Sequence, residues 1–382
     1  MHRPMKRSLH ILPLIVLAML LAGCGSPPSS SSTPTGVAVA PTTEPSPTAH
    51  PTTPPTSTPA PSPTSEPSPT PAGLSDDDLQ RIGANELGWV PVLEYHLIES
   101  PDADYSRSPA KVRQDLERLY ALGFYPITFR DLASGHIDVP AGKSPVVLTF
   151  DDSSDGQFRY LPDGSVDPTS AWGIMQAFHA EHPDWPVVAT FFPLIEVDVP
   201  SRVLFGQPEY AQRKLQEIVR AGGEVGSHTY THMRLDLATA DQIQWQLAYS
   251  AKAIEDLIGG GYKVTTLSLP LGMYPEDESL LRSGESEGVS YSFIGAAEVA
   301  GGASPSPFST NFDPYHIRRI QALDAELDYW LGLFEERPDL KFISDGDPTV
   351  VTVPVEEGLP EELQGILRTD LPDSLTLRRY TP

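Results

Sequence analysis

Cysteine is almost missing from this chain. Its 382 residues hold one, Cys24, which excludes any disulfide within the chain. Positive charge is also short. The chain has 26 Lys and Arg against 51 Asp and Glu, a formal net charge of -25. A surface of that sign repels polyphosphate and anionic headgroups, which argues against nucleic acid or an anionic membrane face as a partner. The apolar run Ile11–Ala22 is too short for a comfortable transmembrane span. The length allows one large domain or two ordinary ones.

Arg3, Lys6 and Arg7 precede that short run, and Leu21-Ala-Gly-Cys24 closes it. Positive residues followed by a short apolar stretch read as an export leader. The closing tetrapeptide resembles a bacterial lipobox. The expectation is therefore a leader over 1–23, cut before Cys24, with a lipid on the Cys24 thiol. That lipid would anchor the protein outside the cytoplasm, on the bacterial cell membrane. Residues 24–74 continue as a linker of Pro, Ser, Thr and Ala, in which Glu44 and Glu66 are the only acids. Such a segment cannot bury a core and is expected to be disordered. Rich in proline, it would act as a semi-rigid spacer reaching roughly 3 Å per residue.

The folded domain is expected over 75–348, with a C-terminal extension over 349–382. Val90–His96 reads as a first strand. Ser108 and Pro109 open a helix whose apolar face is Val112, Leu116, Leu119 and Leu122. Val146–Phe150 is apolar or β-branched and uncharged, the pattern of a strand buried on both faces. The stretch 153–172 is rich in Asp, Gly and Pro and is long for a connection, so it is expected to cover a site or to move. Val187–Phe192 reads as a strand and Tyr210–Ala221 as a helix. Thr239 and Gln242 form a capping box that opens another helix. Val264–Leu269 is a further strand. Tyr291–Ile294, Ile317–Ile320 and Leu340–Ser344 are weaker strand candidates, and Asp324–Glu335 reads as a helix. Strands alternating with helices give right-handed crossovers and a parallel sheet. The number of repeats suits an α/β barrel, distorted or incomplete, better than an open sheet.

Chemistry gathers at the ends of those strands. Asp151 and Asp152 follow the buried run at once. His228 and His232, four residues apart, follow Glu224–Gly226. Carboxylate with two imidazoles is a metal-site composition. His96 follows the first strand, and Leu271 and Gly272 follow another. All lie just past the carboxyl ends of strands, where parallel barrels carry their chemistry.

Thr149-Phe-Asp-Asp152 with Ser227-His-Thr-Tyr-Thr-His232 resembles the first two motifs, T-F-D-D and H-[ST]-x-x-H, of the polysaccharide deacetylase family. This is the NodB-homology group, carbohydrate esterase family 4. The resemblance covers about residues 90–345 and implies a distorted (β/α) barrel. It also implies that Asp152, His228 and His232 bind a divalent metal, zinc for preference, and that Asp151 is the catalytic base. The backbone N–H of Leu271 would meet the oxyanion. The expected activity is removal of acetyl groups from an acetylated cell-envelope or extracellular polysaccharide. The sequence also departs from the pattern. Ser268-Leu-Pro-Leu271 stands where the family has R-P-P-Y, so the arginine paired with the base is missing; Arg318 or Arg319 is the candidate replacement. The family's histidine acid has no Leu-x-His here. His316 is the expected acid, with His96 and Asp345 as alternatives. Loss of that half would leave a tethered carbohydrate-binding protein.

Overall fold

The computed structural model describes residues 73–382. The expected leader, Cys24 with its lipid and nearly all of the expected linker lie outside the described residues. The first helix is Asp76–Ile82, capped by Ser75 and Asp78, where the domain was expected to begin. Among the described residues no helix is long and apolar enough to cross a membrane.

The core is a curled parallel sheet built round the strand Ser144–Asp151, buried along its whole length. One edge of that strand pairs with Val92–Tyr95. Its other edge pairs first with Phe124–Ile127 and then with Thr190–Phe192. Beyond Thr190–Phe192 comes Glu224–Val225. Beyond Val92–Tyr95 come Ile317–Gln321, Gly295–Gly301 and Thr266–Ser268 in turn. A parallel bridge between Ser227 and Leu267 joins the two ends of this order. The architecture is the distorted (β/α) barrel that the alternation of elements implied.

The helices form as their patterns dictate. Pro109–Ala121 buries Val112, Leu116 and Leu119. Pro109 takes the first helical position, where a missing N–H removes nothing. Ser108 makes no side-chain cap; its own N–H is held by Asp102 Oδ1 at 2.6 Å. Thr239 and Gln242 close the expected capping box on Ala240–Ile258.

Three segments differ from expectation. Gly295–Gly301 is a barrel strand, whereas of the expected strand Tyr291–Ile294 only Tyr291 and Ser292 are in a strand, in an outer hairpin, Ser283–Ser286 with Val289–Ser292. A side chain at Gly295 would meet Ala133 Cβ at 2.7 Å and the Pro314 carbonyl at 2.9 Å. Close packing therefore demands small residues that carry no strand signal of their own. Leu340–Ser344 makes only isolated bridges, to Trp89 and Asn85. The extension 349–382 is not a loose tail: Val350–Pro354 and Thr376–Tyr380 pair in parallel, and Val351 and Val353 join the core cluster of Val92 and Val147.

The insertion after the central strand is packed against the core. Phe158 stacks on Trp172 in the core at 5.3 Å. The Gln157 amide donates to the carbonyls of His96 and Asp151. It also braces a second loop, since Phe205 N–H donates to the Ser153 carbonyl at 2.9 Å. In that loop Leu204, Phe205 and Gly206 all have positive φ (46°, 65° and 62°), a conformation non-glycine residues rarely adopt. Lys214 holds it there. The fully buried ammonium donates to the Phe205 carbonyl at 3.1 Å. It lies 5.6–5.9 Å from the ring centres of Phe158, Tyr160 and Phe205.

Burial pulls the Lys214 pKa down from 10.5 to about 7. Between those values the unfolded chain keeps a proton that the folded chain sheds, so stability rises with pH through that window. Below about 7 the lysine is charged in both states and its burial penalty is complete. Lys214→Met should flatten the rise between pH about 7 and about 10, read as denaturant midpoints of the full chain. An unchanged slope would contradict this.

Candidate metal centre and active site

Asp151 ends the central strand. The chain then turns sharply, with Asp152 at φ 70° and Ser153 at φ 44°. Side chains alternate along a strand, and this turn sends two adjacent carboxylates to different partners. A second strained turn follows Glu224–Val225, with Thr229 at φ 59° and His232 at φ 58°. Non-glycine residues in the left-handed region cost about 1–3 kcal/mol each, and here they cluster where the two turns meet.

His228 Nε2 and His232 Nε2 lie 3.4 and 3.5 Å from Asp152 Oδ1. His228 Nδ1 is 2.8 Å from the Ser268 carbonyl. A carbonyl only accepts, so Nδ1 carries a hydrogen, and Nε2 is the nitrogen that faces Asp152. A metal-binding histidine is oriented in the same way, through its other ring N–H. Asp152 Oδ1 is buried and has no hydrogen-bond partner. Buried carboxylate oxygens are rarely left so, and one divalent cation would satisfy this oxygen and both nitrogens together. The two-nitrogen, one-oxygen donor set suits zinc and its neighbours. Burial and the adjacent His228 bring the His232 pKa down to about 4, so that imidazole is neutral and ready to ligate. Burial would lift the Asp152 carboxyl, but His228 and His232 outweigh it and bring the pKa to about 2.

Asp151 is occupied differently. The fully buried Arg319 donates from Nη1 to its Oδ1 at 3.0 Å and from Nη2 to its Oδ2 at 2.8 Å. The Ser268 hydroxyl donates to Oδ2 as well, at 2.8 Å. Burial opposes the charge, yet the Arg319 guanidinium and His228 hold the Asp151 carboxyl well below the ordinary range. The arginine missing from the Ser268-Leu-Pro-Leu271 stretch is thus supplied by Ile317–Gln321. Arg318 lies on the other face of that strand and is half-buried.

The remaining residues distribute unevenly. Leu271 sits on the loop after Thr266–Ser268 with φ 58° and its side chain exposed. Glu94, His96 and Asp151 form a second close cluster, their polar atoms within 4.8 Å of one another. There the positive charge is already present, as Arg319. The His316 ring nitrogens lie 3.1 Å from a carboxylate oxygen of Glu278 and 3.2 Å from one of Glu298, both of which accept, and the ring stacks on Tyr274. Among the described residues none of its hydrogen bonds reaches Asp151 or the Asp152 cluster. Asp345 bonds the Asp347 N–H and the Thr352 hydroxyl. The carbonyl of the preceding Ser344 receives the Gly142 N–H, just before the central strand begins. Asp345 therefore lies at the opposite end of that strand from Asp151, which removes it as an acid. Arg202 escaped sequence reasoning: its Nη1 is 3.2 Å from Asp152 Oδ2. Only a positive residue inside an irregular loop pointed to it.

An Asp/His/His cluster that could hold one metal ion thus stands at the rim of a parallel barrel, beside a separately anchored carboxylate. The polysaccharide deacetylase family model matches residues 138–287, the stretch that holds Asp151, Asp152, His228, His232 and Leu271. The resemblance drawn from the two motifs therefore holds there. Among solved structures, a Streptococcus pyogenes deacetylase in complex with acetate is 18% identical with TM-score 0.46, over 64% of this chain and 98% of that one. A Bacillus cereus polysaccharide deacetylase is 20% identical with TM-score 0.46, over 61% and 65%. The chain thus spans under two thirds of the B. cereus relative's length, and 64% of a Bacillus anthracis relative's. No curated protein matches the chain.

The cluster predicts that the purified protein carries one equivalent of a divalent metal by elemental analysis, and that His228→Ala loses it. Retention of the ion by that variant would show that it sits elsewhere.

Proposed function

We propose that this protein is a divalent-metal-dependent deacetylase acting on an acetylated polysaccharide of the cell envelope or extracellular matrix. The observation that carries the reading is the unpartnered, buried Asp152 Oδ1 between two imidazole nitrogens, beside an Asp151 whose oxygens are both already engaged. Asp152, His228 and His232 would hold the ion, for which zinc is the first candidate. When bound, it supplies a Lewis acid that polarises the acetyl carbonyl and lowers the pKa of water.

The protein's own groups do the rest. Asp151 is ionised and fixed, so it takes the proton from the attacking water. Arg319 and Ser268 keep its carboxylate from swinging to the ion, which holds the roles of the two acids apart. The Leu271 N–H donates to the oxygen that becomes negative in the tetrahedral state. The leaving amine needs a proton. His316 was the expected donor, but its ring is engaged by Glu278 and Glu298, and proximity to Asp151 favours His96. The lipobox-like Leu21–Cys24 supports an extracytoplasmic, lipid-anchored location, with the Pro/Ser/Thr-rich stretch as a stalk toward the glycan.

Acetate release from acetylated chitooligosaccharides and from peptidoglycan, with and without chelator, tests this reading. Release should stop on chelation and return with metal. Asp151→Asn should keep the ion and lower turnover by about 10²–10⁴-fold. No acetate from any acetylated glycan with the ion fully bound would overturn it in favour of a carbohydrate-binding protein.

A further inference from the structure

We propose that Glu94 is a positioning residue: by accepting a hydrogen bond from Arg319 it fixes the guanidinium that orients Asp151. The kinetic part of this inference rests on the deacetylase reading above.

Topology is the first ground. Asp151 ends Ser144–Asp151 and Arg319 lies in Ile317–Gln321, and these two strands are not neighbours. Val92–Tyr95 runs between them, pairing Glu94 with Thr149 on one side and with Gln321 on the other. The side chain that reaches from base to arginine therefore crosses the strand that carries Glu94. Composition is the second ground. The other residues of that strand are Val92, Leu93 and Tyr95, and the strand is buried throughout. An acid there costs desolvation that an apolar residue would avoid. Geometry is the third. Arg319 Nη2 donates to Glu94 Oε1 at 2.9 Å while it also serves Asp151 Oδ2 and Ser268 Oγ. Nη1 serves Thr149 and Asp151, and Nε serves the Glu298 carbonyl. Glu94 is the contact that holds the fork from the side of the intervening strand.

The charges fit that role. One guanidinium faces two carboxylates, and both oxygens of Asp151 take the fork. Burial, with Asp151 adding to it against the pull of Arg319, raises the Glu94 pKa to about 8. Glu94 Oε2 has no partner, and the crevice that Glu94 helps to line, of about 10 Å³, has room for a water at most. A neutral Glu94 keeps its hydrogen bond from Arg319 without competing for the ion pair, so glutamine should imitate it.

The test compares Glu94→Ala and Glu94→Gln in the full-length protein by crystallography and by kcat, KM and metal content. In Glu94→Ala we expect Arg319 to leave at least one Asp151 oxygen. In the same variant kcat should fall about 10- to 100-fold, with KM and metal content unchanged. Glu94→Gln should restore both the fork and most of kcat. If the alanine variant does not fold, Glu94→Asp, which withdraws the carboxyl from Arg319, takes its place with the same expectation. Arg319 retained on both Asp151 oxygens in the alanine or aspartate variant overturns the proposal. So does a kcat loss that glutamine fails to rescue. If the wild-type protein releases no acetate, the functional reading fails, and the crystallographic comparison still decides the role of Glu94.

Discussion

The buried pair between Arg319 and Asp151 is the constraint on which the site depends. Removing two charges from water costs several kcal/mol per ion, and only good geometry with further hydrogen bonds offsets it. Here both oxygens of Asp151 meet the guanidinium fork, and Thr149, Ser268, Glu94 and Glu298 take its other donor directions. Two consecutive acids, equal in sequence, become unequal in surroundings. One is pinned by a permanent cation. The other is turned by a left-handed backbone toward two imidazoles and left with an unpaired oxygen. The division of labour proposed for these neighbouring carboxylates rests on that asymmetry.

Ser268 links the two halves. Its carbonyl accepts the His228 Nδ1 hydrogen and so orients that ring, and its hydroxyl contacts both Asp151 and Arg319. In the family pattern this position carries the arginine itself. A serine is small enough to leave that volume open, and the chain fills it from another strand. The loop that brings Arg202 to Asp152 is secured from below by Lys214 and the aromatic rings around it. Strain in that loop and in the turns at Asp152 and His232 is sustained by burial of the groups beneath them.

Much of this was legible in the residues. Val146–Phe150 declared itself a strand because both its faces are buried, and the Thr239–Gln242 box declared a helix start because capping is local chemistry. The acidic and imidazole pairs were legible because their types and order are rare together. What stayed hidden depends on tertiary contact. Gly295–Gly301 is a strand because Ala133 and Pro314 crowd it, and no periodicity records that. Arg319 could be named only as one of two candidates, since strand parity, not residue type, separates it from Arg318. The packing of 153–172 and of 349–382 into the core, and the place of Asp345 at the far end of the barrel, depend on contacts remote along the chain.

Anomalous diffraction from a metal-loaded crystal tests this separation of the two acids directly. One peak should bond to Asp152 Oδ1, His228 Nε2 and His232 Nε2, with Asp151 still clasped by Arg319. A peak among Glu94, His96 and Asp151, or Asp151 released from Arg319 to ligate the ion, would contradict it.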